Sequence, residues 1–191
     1  MNIQQFVKKY LEEIKVAIDS IPLKKIEKIV NMIYITYKKN KCIYVIGNGG
    51  SGSTASHFAC DLGKGTICEE KKRFKIISLN DNMPIITAFA NDCGYDNVFS
   101  EQLKNILNRE DLVISITGSG NSPNIIKAAE LAKKRKAKTI GIMGFTGGIL
   151  KSILDVGVII SGNNYGQIED IHLILTHVIS RYFQEMIKKE K

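Results

Sequence analysis

Five short apolar runs recur along this 191-residue chain, at residues 42–46, 74–79, 112–116, 139–143 and 156–161. They lack strict alternation of polar and apolar positions, which is the pattern of strands covered on both faces. Helical patterning fills the gaps, at 54–62, 84–91, 97–107, 123–136 and 147–154, and a last helix runs from about residue 166 to 188. Strands joined by helices predict a parallel sheet with right-handed crossovers. Two helices precede the first strand. One spans 3–19, with Ile3, Phe6, Val7, Tyr10, Leu11, Ile14 and Ile18 on one stripe. That wide stripe suits a partner subunit or the chain's own sheet. The other runs from Pro22, at a first-turn position, to about Lys39. The expectation is an α/β fold: a three-layer α/β/α sandwich with a five-stranded parallel sheet. Residues 1–191 read as a single domain, with 1–40 as an N-terminal helical extension.

Composition narrows the function classes. The chain has 44% hydrophobic and 24% charged residues, as in ordinary soluble domains. No apolar run reaches membrane-spanning length, and the first residues lack a signal-peptide pattern, so a cytoplasmic protein without membrane attachment is expected. The net charge of +8 comes mostly from lysines spread over helix faces. Arginine is scarce and no basic stripe carries interleaved aromatics, so nucleic acid is not the expected partner. A positive field still favours anionic ligands. Cys42, Cys60, Cys68 and Cys93 form no C-x-x-C pair and read as free thiols, with Cys42 and Cys60 in apolar surroundings.

Two loops carry the chemistry. The first, Gly47-Asn48-Gly49-Gly50-Ser51-Gly52-Ser53-Thr54, follows a strand and leads into a helix. Glycines let the backbone approach a ligand closely, and a helix N-terminus offers free N–H groups to an anion. The second, Thr117-Gly118-Ser119-Gly120-Asn121-Ser122, also follows a strand. Both fall at the carboxyl ends of strands, where ligands of such sheets bind. Together they predict one phosphate-bearing ligand held from two sides. Gly47, Gly49 and Gly52 also satisfy G-x-G-x-x-G. A dinucleotide site, however, wants an acidic residue about 20 positions on, and the next strand ends near Asp81, well beyond that.

Gly47-Asn48-Gly49-Gly50-Ser51 with His57-Phe58-Ala59-Cys60-Asp61-Leu62 resembles sugar isomerase (SIS) domains, nearest to the bacterial phosphoheptose isomerases. The resemblance continues through Thr87–Tyr95, Ser119–Asn124 and Glu169–His177, in the family's order and over nearly the whole chain. It implies a flavodoxin-like SIS fold and a homotetramer. The implied reaction interconverts sedoheptulose 7-phosphate and D-glycero-D-manno-heptose 7-phosphate. It places phosphate binding on Ser51, Thr117, Ser119 and Ser122, with Asn48, Gly49, Gly50, Ser53 and Gly118 completing the two loops. It places a divalent metal, often zinc, on His57, Asp61, Glu169 and His177, and the roles of base and acid on Asp61 and His177. Asp61 and Glu169 stand where the family has glutamate and glutamine. Gly118 replaces a threonine, Gly65 stands at the register of an arginine, and Asn82 at that of an aspartate. SIS domains also serve as sugar-phosphate sensors and adaptors, and a different sugar phosphate is a further alternative.

The residues suit such chemistry. Ketose–aldose isomerisation needs a base near carbon, an acid near oxygen and stabilisation of an enediolate. His57 and Asp61, four apart, share one helix face. Glu169 and His177, eight apart, also point to one side, so four donors are expected to converge if the two helices meet. Asp61 or Glu169 is the expected base and His177 the proton donor. His172 is read as an ordinary salt-linked or capping histidine.

Overall fold

The computed structural model describes residues 2–189. In chain order the elements are α1 (Ile3–Asp19), α2 (Leu23–Lys38), β1 (Cys42–Gly47), α3 (Gly49–Lys64), β2 (Lys75–Ser78) and α4 (Met83–Cys93). There follow α5 (Val98–Ile106), β3 (Leu112–Thr117), α6 (Pro123–Lys134), β4 (Lys138–Gly144), β5 (Val156–Ile160) and α7 (Tyr165–Lys189). The strands form one parallel sheet ordered β2-β1-β3-β4-β5.

The side-chain period of two explains the layers. In β3, Leu112, Ile114 and Ile116 face α2, α3 and α7, meeting Ile29, Phe58, Leu62, Ile171, Leu175 and Phe183. Val113 points the other way, towards Phe99 and Leu103 of α5 and Ile125 and Ala128 of α6. With both faces covered, β3 is buried along its whole length and β4 at all but its first residue, as the unalternating apolar runs predict. Edge strand β2 is the exception, with Ile77 51% exposed.

Caps and prolines set several boundaries. Asn2 Oδ1 accepts from the backbone N–H groups of Gln4 and Gln5 at the start of α1, and Asn82 Oδ1 accepts from Ile85 at the start of α4. Pro22 sits at the N-cap of α2, one position before the first turn.

Three expectations need correcting. Helix α3 starts at Gly49, five residues before the expected 54, so most of the glycine loop is the first turn of a helix. Gly47 carries no Cβ because Ser51 of that turn stacks directly on it. The helix expected at 147–154 shrinks to a 3₁₀ turn at Leu150–Ser152, because Gly147 and Gly148 take φ values of +74° and +52°. Cys60 is exposed rather than packed among apolar groups.

Candidate active site

The strand order puts the two loops together. The chain leaves β1 for β2 on one side, then returns to β3 on the other, so β1 and β3 are neighbours with Gly47 opposite Ile116. Helices depart from this pair to opposite faces, which opens a crevice beyond their carboxyl ends. The first turn of α3 and the Thr117–Ser122 loop border that crevice.

Each loop is held by its own contacts. Asn80 clamps Gly47, its Nδ2 donating to the Gly47 carbonyl at 2.7 Å and its Oδ1 accepting from the Gly47 N–H at 3.2 Å. Asn48 Nδ2 donates to Asn124 Oδ1 and Asn124 Nδ2 donates back to Asn48 Oδ1, both at 2.9 Å. Tyr95 Oη also donates to Asn48 Oδ1, at 3.0 Å. Asn48 therefore braces the first loop against the start of α6. In the second loop, Thr117 Oγ1 accepts from the Gly120 N–H and Ser119 Oγ from the Asn121 N–H, each at 3.2 Å. Asn121 Oδ1 accepts from Ile149 N at 2.9 Å, and Gly120 O from Leu150 N at 3.0 Å, fastening the loop to the segment after β4. Ser51 and Thr117 are buried and Ser53 is exposed, while Ser119 and Ser122 are partly exposed.

Helices α3 and α7 lie side by side on one face and run in the same direction, as helices leaving parallel strands must. Their seam carries three polar side chains. His57 Nε2 and His177 Nε2 are 2.9 Å apart, and Asp61 Oδ2 lies 3.2 Å from the first and 3.6 Å from the second. The two rings meet edge to face, 71° apart. Each imidazole is about half exposed and Asp61 is 32% exposed, so the trio is open to solutes. A cleft lined by Asp61, Gly65, His177, Ser180, Arg181 and Gln184 opens beside it. His57 is seven residues beyond Gly50, so it lies about 10 Å down the helix axis from the first loop.

Glu169 does not join this trio; among the described residues only His57, Asp61 and His177 bring ligand atoms within 4.8 Å of one another. Glu169 sits two turns earlier on α7 and turns towards the start of α3. Its carboxylate atoms lie 2.5–2.8 Å from where a Cβ on Gly50 would stand. The absence of a side chain at Gly50 leaves the room that Glu169 occupies. His172 differs from expectation as well. It is buried between α7 and the sheet, neither salt-linked nor capping, and neither ring nitrogen has a partner of hydrogen-bond geometry. Burial pushes its imidazole down to about 4; the Met143 backbone nearby offsets this only in part.

Two residues at the crevice escaped the sequence reading. Tyr165, the first residue of α7, lies against Gly118, and Phe145 packs on its ring. A glycine among hydroxyl residues at 118 was the available signal that something large sits there.

The SIS domain profile matches residues 5–144. The chain belongs to the SIS domain family, within its phosphoheptose isomerases. The Helicobacter pylori (strain P12) phosphoheptose isomerase is 35% identical over 168 residues, covering 88% of this chain and 86% of its own. A solved phosphoheptose isomerase from Francisella tularensis superposes with a TM-score of 0.89 at 26% identity, covering 97% of this chain and 100% of that one. The Neisseria gonorrhoeae phosphoheptose isomerase structure gives 0.87 at 25% identity, covering 96% and 100%. The SIS fold thus stands on sequence and shape together. No helix among the described residues is long and apolar enough to cross a membrane.

Proposed function

We propose that this protein is a ketose–aldose isomerase that interconverts sedoheptulose 7-phosphate and D-glycero-D-manno-heptose 7-phosphate. The observation that carries this reading is the placing of an Asp–His–His trio about 10 Å along α3 from the first of two phosphate-type loops. One end of an extended sugar phosphate is gripped while the other meets acid and base. A sensor needs only the loops. The activity for which the relatives are named agrees with this arrangement.

The loops bind the phosphate through the N-terminal N–H groups of α3 and the hydroxyls of Ser51, Ser53, Thr117, Ser119 and Ser122. Asp61 takes a proton from C1 of the ketose. As the C1–C2 double bond forms, the carbonyl electron pair moves to O2, which receives a proton from His177, leaving an enediol. The O1 proton then passes to the now neutral His177. Asp61 returns its proton to C2, and the aldose results. His57 shares a hydrogen with His177 across their 2.9 Å contact and so holds the donor ring in place. Glu169, facing Gly50 at the first loop, is placed for the sugar hydroxyls next to the phosphate. Asp61 already lies beside His177, which is why it rather than Glu169 is assigned as base.

The trio also fits a divalent metal. Two imidazole nitrogens and a carboxylate oxygen, all within 4.8 Å, are a donor set that suits zinc and leaves a fourth position open. A bound dication would polarise the carbonyl and steady both oxygens. His57, Asp61 and His177 would hold it, in place of the proton that the two imidazoles otherwise share.

The reading includes a cytoplasmic homotetramer, with residues 1–40 as a helical extension of a single domain. The outer face of α1 exposes Ile3 (67%), Phe6, Val7, Leu11 and Val16 (71%), apolar surface of the kind that further copies cover.

The deciding experiment supplies C5 to C7 ketose phosphates in deuterated water and follows products by NMR. Turnover of the C7 ketose, with solvent deuterium appearing at C2 of the aldose and C1 of the ketose, is expected. Absence of exchange with every ketose would overturn the isomerase reading.

A further inference from the structure

We propose that Tyr165 is a substrate-contacting residue whose phenol donates a hydrogen bond to the phosphate seated in the Thr117–Ser122 loop. This rests on the reading of that loop as a phosphate seat.

Gly118 shows how the ring is accommodated. Its backbone has no positive φ, so glycine is not there for conformation. It is there for space: a Cβ would stand 2.7 and 2.8 Å from Tyr165 Cε1 and Cδ1. A side chain at 118 and the ring of Tyr165 exclude each other. An aromatic ring thus fills a gap in a loop otherwise rich in hydroxyls.

The ring is also held in place. Phe145 meets it edge to face, with centroids 5.0 Å apart and planes at 75°. Phe145 itself takes φ +49°, a strained conformation for a bulky residue that only its surroundings sustain. Yet Tyr165 is 55% exposed, and its hydroxyl has no partner among the described residues. A buttressed ring with a free donor, half open at an anion loop, is arranged for a ligand. Its position on α7 agrees: Glu169 lies four residues on, on the same face, so Tyr165 borders one loop as Glu169 borders the other.

The test compares wild type with Tyr165→Phe, which keeps the ring and removes the donor, and with Gly118→Ala, which displaces the ring. Inorganic phosphate binding is measured by calorimetry and sedoheptulose 7-phosphate turnover by NMR. Tyr165→Phe is expected to weaken phosphate binding about tenfold, as loss of a hydrogen bond to a charged group does, and to raise KM similarly with kcat within about twofold. Gly118→Ala should weaken phosphate binding as well. Phosphate affinity and KM unchanged in Tyr165→Phe would overturn the proposal and leave the isomerase reading intact. A wild type that binds phosphate in a Tyr165-dependent way but turns over no sugar would support the proposal and defeat the isomerase reading. A wild type that binds no phosphate at millimolar concentration would overturn it, since the loop would then be no seat.

Discussion

His57 Nε2 and His177 Nε2 face each other at 2.9 Å across the α3–α7 seam, so one ring must donate where the other accepts. Asp61 Oδ2 lies beside both. A proton held between the rings is at hand for a substrate oxygen, and the carboxylate is at hand for a carbon-bound hydrogen. Replacing His177 with alanine should lower kcat by about 10²–10⁴-fold, the usual contribution of a positioned proton donor. Phosphate binding should stay close to wild type, because the loops lie about two turns of helix away. Steady-state kinetics and phosphate calorimetry on the same variant check both halves. Undiminished turnover would remove His177 from the reaction.

The same three side chains predict metal uptake. Protein freed of metal by chelator and then dialysed against zinc should retain about one equivalent per chain by elemental analysis, as a three-ligand site with an open position does. His57→Ala should retain far less. Lowering the pH should release the ion, since imidazole must be unprotonated to ligate. Zinc retained equally by the alanine variant would place the metal elsewhere.

Gly50 and Glu169 form a second matched pair, and here the prediction concerns binding. A methyl group on Gly50 would stand 2.5 Å from Glu169 Oε2. The group in the way is the end of a flexible side chain, so Gly50→Ala should push the carboxylate aside with little change in Tm. If Glu169 steadies the sugar hydroxyls next to the phosphate, KM should rise. Combining Gly50→Ala with Glu169→Ala should then cost no more than Glu169→Ala alone, the signature of two residues acting through one contact. Additive losses would separate them.

The sheet was legible because its central strands are apolar on both faces, as in Ile43–Ile46 and Leu112–Ile116. The last helix was legible because Ile168, Ile171, Leu175, Ile179 and Phe183 keep helical spacing. The start of α3 was not, because Gly49, Gly50 and Gly52 read as loop when helix and strand stack too closely for side chains. In the site, helical spacing put His57 over Asp61 correctly. It could not show that Glu169 turns to the space above Gly50 while His177, on the same helix, turns to His57. Nor could it show the Tyr165 ring against Gly118. Both depend on which neighbour lacks a Cβ, a property of the partner helix or loop rather than of the residue's own segment.

His172 gives a pH prediction independent of catalysis. Its ring is buried with no partner of hydrogen-bond geometry, and it titrates near 4 in the folded protein against 6.5 for an ordinary histidine. Burial disfavours the charged form, so between these two values the unfolded chain binds a proton that the folded chain refuses. Stability is therefore full above about pH 6.5 and falls as the pH drops towards 4, by about 3 kcal/mol for a shift of this size. Denaturant unfolding of wild type at pH 7 and pH 4.5 contains this loss together with that of the carboxylates. His172→Phe and His172→Leu remove the histidine contribution alone. Both variants should therefore lose about 2–3 kcal/mol less than wild type over that interval. At pH 7 they should unfold at similar or higher denaturant, since two unpartnered nitrogens have left the interior. A pH dependence identical to wild type in both variants would show that His172 is not the group that refuses the proton.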